Sequence, residues 1–233
     1  MTTKIEGTRG DDGSPGETWN PVTGCSKVSQ GCKNCYAERL FPRVYGREII
    51  GSLLTDETGI SRRREFTDVR LHYARLDHPL HWKKPRRIFV NSMSDLFHED
   101  IPRDFIDAVW STMAEAKWHI FQILTKRPER MLAFMEDRKR KGWKADWLNI
   151  WLGVSVEDQA TADERIPLLL QTAAAVRFVS YEPALAPVNF SPWLTHAPHL
   201  NWLIAGGESG PHARPPHPDW FRSVRDQCAE AGV

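Results

Sequence analysis

Residues 119–127 read HIFQILTKR, and residues 150–157 read IWLGVSVE. Each stretch is a short run of β-branched and aromatic residues that ends in polar or charged residues, as a buried strand does where it leaves the core. Strands are predicted from five such runs, which are Arg87–Val90, His119–Leu124, Ile150–Val154, Val176–Val179 and Trp202–Ala205. Their centres recur every ~25 to 33 residues, the length of one strand and a crossover helix. The sequence therefore predicts a parallel sheet.

Segments with helical spacing separate these runs. Helices are predicted after Pro102, from Pro128 to Gly142, over Ala162–Thr172, and from Pro218 to a C-cap at Gly232. Tyr36–Tyr45 has the same spacing. The whole chain, 1–233, is predicted as a single domain, with residues 1–17 as an irregular lead-in and residues 46–80 as an insertion or lid.

Polar side chains follow every predicted strand. The carboxyl ends of parallel strands meet on one face, which carries the active site in α/β barrels. The strand count alone also allows a doubly wound sheet. The shared polar ends favour an α/β fold of the partial (β/α) TIM-like barrel type, with a cysteine-rich loop near the N-terminus. The polar segments that follow the predicted strands are Asn91 to Asp95, Thr125 to Arg127, Ser155 to Glu157, Ser180 to Glu182 and Gly207 to Ser209.

The charge balance limits the partners of the chain. Lys and Arg total 31 against 30 Asp and Glu, so a net charge of +1 gives no general attraction to nucleic acid or an anionic membrane. No stretch reaches the roughly 20 apolar residues of a membrane helix. We therefore expect a cytoplasmic protein with no membrane partner.

Three of the four cysteines fall in one short segment with the spacing C-x6-C-x2-C, namely Cys25, Cys32 and Cys35. Thiolates bind soft or borderline metals, and a two-residue gap lets two sulfurs reach one metal centre. Cys228 lies on an apolar helix face with Phe221 and Val224, typical of a core cysteine. Three ligands favour a cluster with one open metal position. A zinc site completed by a distant histidine, or three reduced structural thiols, are the alternatives.

The chain also resembles a known family through the segments TWNPVTGC, GCKNCYAE, LTKRPER, SVEDQ, SYEPAL and IAGGESGPHARPPHPDWFRSVRDQC. They are similar to those of a bacteriophage and prophage family, described by a three-cysteine motif, that has no established function. That family in turn resembles radical S-adenosylmethionine enzymes. In the family the chain continues past Val233 with another apolar strand, so the resemblance implies a closing element beyond this sequence.

The resemblance implies a [4Fe-4S] cluster on Cys25, Cys32 and Cys35 that reduces S-adenosylmethionine to a 5′-deoxyadenosyl radical. Tyr36 would lie near the adenine of the cofactor. The strand end formed by Gly206, Gly207, Glu208 and Ser209 would contact the cofactor's amino group.

Glu157 and Glu182 are the candidate catalytic carboxylates, because with Glu208 they could hold the cofactor's ammonium and ribose hydroxyls. Lys126 is the third candidate, for neutralising a carboxylate or phosphate. Each glutamate could instead pair with a neighbouring Arg or Lys. The expected partners are a reductant protein and a nucleotide or nucleic acid.

The alternative function is a zinc-stabilised nucleic-acid-binding module without catalysis. It would use the basic clusters at Arg62–Arg64, Lys83–Arg87 and Arg138–Lys141.

Overall fold

The computed structural model of the chain describes residues 5–10, 13–45, 49–50, 62–142, 147–195 and 197–233. In chain order the strands are β1 (Glu17–Trp19), β2 (Val22–Thr23), β3 (Ile49–Ile50), β4 (Arg62–Arg63), β5 (Arg70–Leu71), β6 (Arg87–Val90), β7 (Ile120–Thr125), β8 (Ile150–Ser155), β9 (Val176–Tyr181) and β10 (Trp202–Ala205). The main sheet has the order β1-β6-β7-β8-β9-β10, and every neighbouring pair is parallel. The predicted parallel α/β architecture is confirmed.

The strands of the main sheet lie side by side in chain order. A doubly wound sheet reverses its strand order at a switch point, and no reversal occurs here. Within the described ranges, β1 and β10 are the two edges of the sheet and do not pair with each other.

The helices are α1 (Tyr36–Val44), α2 (Arg103–Glu115), α3 (Pro128–Arg140), α4 (Gln159–Gln171) and α5 (Pro218–Ala231). All five were predicted, and Gly232 ends α5 with the left-handed φ of 74° that suits glycine. Helix α4 begins three residues before the predicted Ala162. The Asp158 side chain accepts a hydrogen bond from the Thr161 amide, and this capping box sets the start.

The predicted insertion contributes no strand to the main sheet in its described part. Residues 46–48 and 51–61 of that prediction lie outside the described residues. Strand β3 pairs with β4, and β5 pairs with β2, both antiparallel. The segment 62–85 therefore lies beside β2.

The two faces of the main sheet differ in burial. Helices α2 to α5 cover one face, where the side chains of Val90, Ile123, Val154 and Val179 are at most 1% exposed. On the other face Gln122 and Phe178 are buried, whereas most of the alternate residues are only half-buried, namely Phe89, Leu124, Trp151, Trp202 and Ile204.

Gly7 lies against the half-buried face. The Gly7 carbonyl accepts a hydrogen bond from Gln122 Nε2 of β7 at 2.8 Å. A Cβ on Gly7 would also lie 3.1 Å from Ile204 Cδ1 of β10. Strands β7 and β10 are separated by two strands in the sheet, so Gly7 contacts side chains from both parts of this face. The described part of the predicted lead-in thus packs against the sheet.

Among the residues described, every helix is too short or too polar to span a lipid bilayer.

Candidate functional site

The cysteine loop, residues 20–35, connects β1 to α1 through β2. It lies across the carboxyl edge of the main sheet, the edge at which the parallel strands end. The Gly24 amide donates a hydrogen bond to the Met93 carbonyl at 3.0 Å, and Gly24 forms a parallel bridge with Ser94, just beyond β6. Gly24 has a φ of 96° and its Cβ position lies 2.6 Å from the Asp68 carbonyl oxygen, so glycine is required there.

Arg127 ties the loop to the end of β7. Its Nη2 donates to Ser26 Oγ at 2.8 Å, and its Nη1 lies 3.7 Å from Cys25 Sγ. Two carboxylates hold the guanidinium, with Glu99 Oε2 at 2.8 Å from Nε and Asp95 Oδ2 at 3.3 Å from Nη1. This arginine therefore connects the first cysteine to the polar ends of β6 and β7.

Glu157 ties the loop to the end of β8. Its side chain is 1% exposed, and Oε1 accepts a hydrogen bond from Ser29 Oγ at 2.8 Å. Arg165 Nη1 lies 3.2 Å from Oε1 and Lys126 Nζ lies 3.6 Å from it. A Cβ on Gly31 would lie 2.4 Å from this oxygen, so the loop backbone rests directly on the carboxylate.

Glu208 ties the loop to the end of β10. Its Oε2 accepts hydrogen bonds from Asn34 Nδ2 at 2.8 Å and from Arg214 Nε at 2.9 Å. Arg214 Nη2 also donates to the Gln30 carbonyl at 2.9 Å. The Arg214 hydrogen bonds outweigh partial burial and lower the pKa of Glu208 to about 2. Glu208 is an ionised link between two loops.

Glu182 has fewer partners than the other two glutamates. It is exposed, and its Oε2 accepts a hydrogen bond from Ser180 Oγ at 3.1 Å. A Cβ on Gly206 would lie 2.1 Å from Glu182 Oε1. The Tyr36 hydroxyl donates to the Ser92 carbonyl at 2.7 Å. Desolvation, with Cys35 and Glu182 adding negative charge nearby, raises the pKa of Tyr36. Glu182 and Gly206 are thus in close contact, and Tyr36, which follows Cys35 in the sequence, is bonded to the segment after β6.

All three cysteines of the loop are free thiols of intermediate burial. Burial and the nearby Asp95 raise the pKa of Cys25 to about 12, and Cys32 contributes in the same direction. A hydrogen bond to Glu38 raises the pKa of Lys27, with smaller contributions from Cys35 and Cys32. All three thiols belong to the same loop, residues 20–35.

Thiolates are the ligands that soft metals and iron–sulfur clusters prefer, and three cysteines could hold either with one metal position left open. Across the described parts of the chain, however, no three His, Cys, Asp or Glu side chains are already arranged around one metal position. Binding would therefore require the cysteines to release protons and reorient, as metal sites commonly do.

The structure brings most of the predicted site residues to the carboxyl edge. Gly206 and Ser209 lie there through the backbone: the Gly206 amide donates to the Tyr181 carbonyl at 3.1 Å, and the Ser209 carbonyl accepts from Arg39 Nη1 at 2.9 Å. Gly207 packs near Pro216. Cys228 lies in α5, as predicted for a core cysteine.

Sequence reasoning missed several residues that fasten the loop, which are Ser26, Ser29, Asn34 and Arg165. Ser29 and Glu157 are 128 positions apart, and Asn34 and Glu208 are 174 apart. No local motif links residues at such separations. The one available signal was the density of polar residues between the cysteines.

The basic clusters of the alternative function are partly buried. Arg64 is 4% exposed and Arg138 is 2% exposed. The Arg138 guanidinium lies 5.3 Å from the Trp110 ring and pairs with Asp107, and Arg86 pairs with Glu17. Arg64 and Arg138 are therefore engaged in the fold, whereas the Arg86 side chain remains 32% exposed.

The protein is an α/β protein with a parallel sheet, and the carboxyl edge of this sheet carries a loop with three free cysteines. The chain belongs to the family described as "Protein of unknown function (DUF5131)", whose model matches residues 9–233. No curated protein matches the chain, and no solved structure does.

Proposed function

We propose that this protein is a radical S-adenosylmethionine-type enzyme in which Cys25, Cys32 and Cys35 hold a [4Fe-4S] cluster. The observation that carries the proposal is the place of the cysteine loop. Side chains and backbone groups that follow β6, β7, β8 and β10 fasten it over the carboxyl edge of the sheet. In α/β barrels that edge is where catalysis occurs.

The strand arrangement supports a partial (β/α) TIM-like barrel as the scaffold. Sequential order without reversal is the order of barrel strands. The contacts of Gly7 with both β7 and β10 are compatible with the curvature that a barrel needs. The sequence resemblance to the phage and prophage three-cysteine family points the same way.

In this proposal some residues of the site position the cysteine loop and others contact the ligand. Glu157 and Glu208 position the loop, because both carboxylates are already paired with arginine. Glu182 keeps acceptor capacity beside Tyr36 and Gly206, so we assign it to the ammonium or a ribose hydroxyl of S-adenosylmethionine. Lys126, with its side chain 20% exposed, is assigned to an anionic group of a ligand.

When bound, the cluster and S-adenosylmethionine would supply a 5′-deoxyadenosyl radical, and the protein would orient it and exclude water. The chemistry requires an electron, which a reductant protein would provide. Nucleotides or nucleic acids are the substrate class proposed by analogy with the phage family. We propose a cytoplasmic location, because thiols that hold a metal or cluster persist best in a reducing compartment.

The test is anaerobic reconstitution with iron and sulfide, followed by reduction in the presence of S-adenosylmethionine. The parent protein should bind a cluster and release 5′-deoxyadenosine. Cys32→Ala should lose both properties. Cys228→Ala is the matched control, because this cysteine lies in α5 and should leave cluster and product unchanged.

One tightly bound zinc ion without acid-labile sulfide would contradict the proposal and support the zinc-stabilised module. An intact cluster that yields no 5′-deoxyadenosine from the parent would contradict the radical chemistry while keeping the cluster.

A further inference from the structure

We infer that Arg127 is a positioning residue that donates a hydrogen bond to the Cys25 sulfur and raises the reduction potential of the cluster bound there. The inference rests on the proposed function, because it concerns the cluster that the three cysteines would hold. It assigns a further role to the end of β7. Its basis is the contact between Arg127 Nη1 and Cys25 Sγ, at 3.7 Å.

Several partners hold the guanidinium, so its own position beside Cys25 is fixed while the thiol can reorient. Nε donates to Glu99 Oε2 at 2.8 Å, and Nη2 donates to Ser26 Oγ at 2.8 Å. Nη1 is shared between the sulfur and Asp95 Oδ2, at 3.3 Å. A planar fork held by several partners loses little freedom when it makes one more hydrogen bond.

Asp95 is in turn fixed by the polypeptide around it. Its Oδ1 accepts from Thr125 Oγ1 at 2.8 Å and from the Phe97 amide at 2.9 Å, and its Oδ2 accepts from the Lys126 amide at 3.0 Å. Asp95 is 6% exposed and Arg127 is 9% exposed. The arginine is thus a buried, preorganised cation beside one of the three thiols.

Hydrogen bonds to the sulfurs and nearby charge are among the features that set the potential of an iron–sulfur cluster. Reduction adds one negative charge, and a fixed cation beside a ligand sulfur stabilises the reduced form. Removing the Arg127 cation should therefore make the cluster harder to reduce. Asp95 and Glu99 would be left without their shared cation, which shifts the potential in the same direction.

The experiment compares the midpoint potential of the reconstituted parent with that of Arg127→Met, Arg127→Lys and Arg130→Met, by spectroscopic redox titration. Arg130 is the matched control: it lies in the first turn of α3, and its guanidinium donates to the carbonyls of Phe97 and Ile101 rather than to a cysteine. Iron content per chain is measured for each protein.

In Arg127→Met the ratio of reduced to oxidised cluster, at a fixed potential near the parent midpoint, should fall about tenfold, equivalent to about 59 mV for one electron. The shift should be smaller but in the same direction in Arg127→Lys, which keeps the charge and loses the fork. Arg130→Met should retain the parent potential. A purely structural role would change iron content or stability without moving the potential of the remaining cluster.

A cluster of unchanged potential in Arg127→Met would overturn the inference, as would an equal shift in Arg130→Met. Where Arg127→Met binds no cluster, Arg127→Lys decides: a lowered potential supports the inference, and an unchanged one overturns it. A parent protein that binds no iron removes the proposed function and this inference together, before any variant is measured.

Discussion

Replacing Glu208 with Gln should detach the cysteine loop from the end of β10. The carboxylate accepts hydrogen bonds from Asn34 Nδ2, the Arg214 amide and Arg214 Nε, at 2.8, 2.9 and 2.9 Å, and its side chain is 4% exposed. Glutamine removes the charge and turns an NH2 group toward these donors. Asn34 would then lose its carboxylate acceptor, and Gln30 would lose the fixed guanidinium of Arg214 that donates to its carbonyl.

The expected cost is about 3 kcal/mol in the free energy of unfolding. Breaking a buried ion pair costs about 3–5 kcal/mol, and the Arg214 side chain is 31% exposed, which places this pair at the low end. A loss of that size lowers the melting temperature by roughly 6–12 °C for a chain of this length.

The pH dependence gives a second, independent measure. The pKa of Glu208 is lowered from 4.5 to about 2 in the folded protein. A lowered carboxyl pKa stabilises the fold fully above the unfolded value, and the stabilisation is lost as the pH falls from 4.5 toward 2. The parent should therefore lose stability over that window by more than the variant does.

Urea denaturation of the parent and Glu208→Gln at pH 7 and pH 3 measures both effects. Glu230→Gln, an exposed glutamate on α5, is the control and should change stability by less than about 0.5 kcal/mol. A Glu208→Gln protein as stable as this control at pH 7, with the same acid dependence as the parent, would refute the assignment of Glu208 as an ionised anchor.

Three other substitutions test the remaining anchors and the core. Glu157→Gln should lower the free energy of unfolding by about 3–5 kcal/mol in calorimetry or urea denaturation, because it leaves the Arg165 guanidinium buried without its carboxylate. A change below about 1 kcal/mol, the net value of one hydrogen bond, would contradict the pairing. Gly31→Ala should lower metal binding after reconstitution while the fold persists by circular dichroism, because the new Cβ would lie 2.4 Å from Glu157 Oε1; full metal content would argue against close docking of the loop. Arg138→Met should lower the free energy of unfolding by about 2–3 kcal/mol in thermal unfolding, because the charge-assisted hydrogen bond to Asp107 is lost. Metal binding should be unchanged. An unchanged stability would contradict a stabilising role of this pair.

Local sequence patterns determined the elements of the fold. The runs at 87–90 and 202–205 are strands with the predicted bounds, and Tyr36–Val44 and Pro218–Ala231 are helices where helical spacing predicted them. Their periods of two and 3.6 residues are set by nearby residues, which is why composition and spacing suffice. The cysteine spacing likewise identified the loop before its surroundings were known.

The boundaries that differ from the prediction have local physical causes. Strand β7 begins at Ile120 rather than His119, because the His119 amide donates to the Ala116 carbonyl at 3.1 Å in a turn and the Ile120 amide is the first to donate across to Arg86 beside β6. Helix α4 begins at its Asp158 cap, a signal that was present in the sequence and was not used.

Only the tertiary structure decided what each glutamate of the site contacts. Glu157, Glu182 and Glu208 look equivalent in the sequence, since each follows a strand. In the structure Glu157 contacts Ser29 and Arg165. Glu208 contacts Asn34 and Arg214. Glu182 is exposed. A sequence records the order of residues along the chain, whereas these partners are determined by the order of the strands in the sheet and the path of the loop across its edge, which arise only when distant segments pack together.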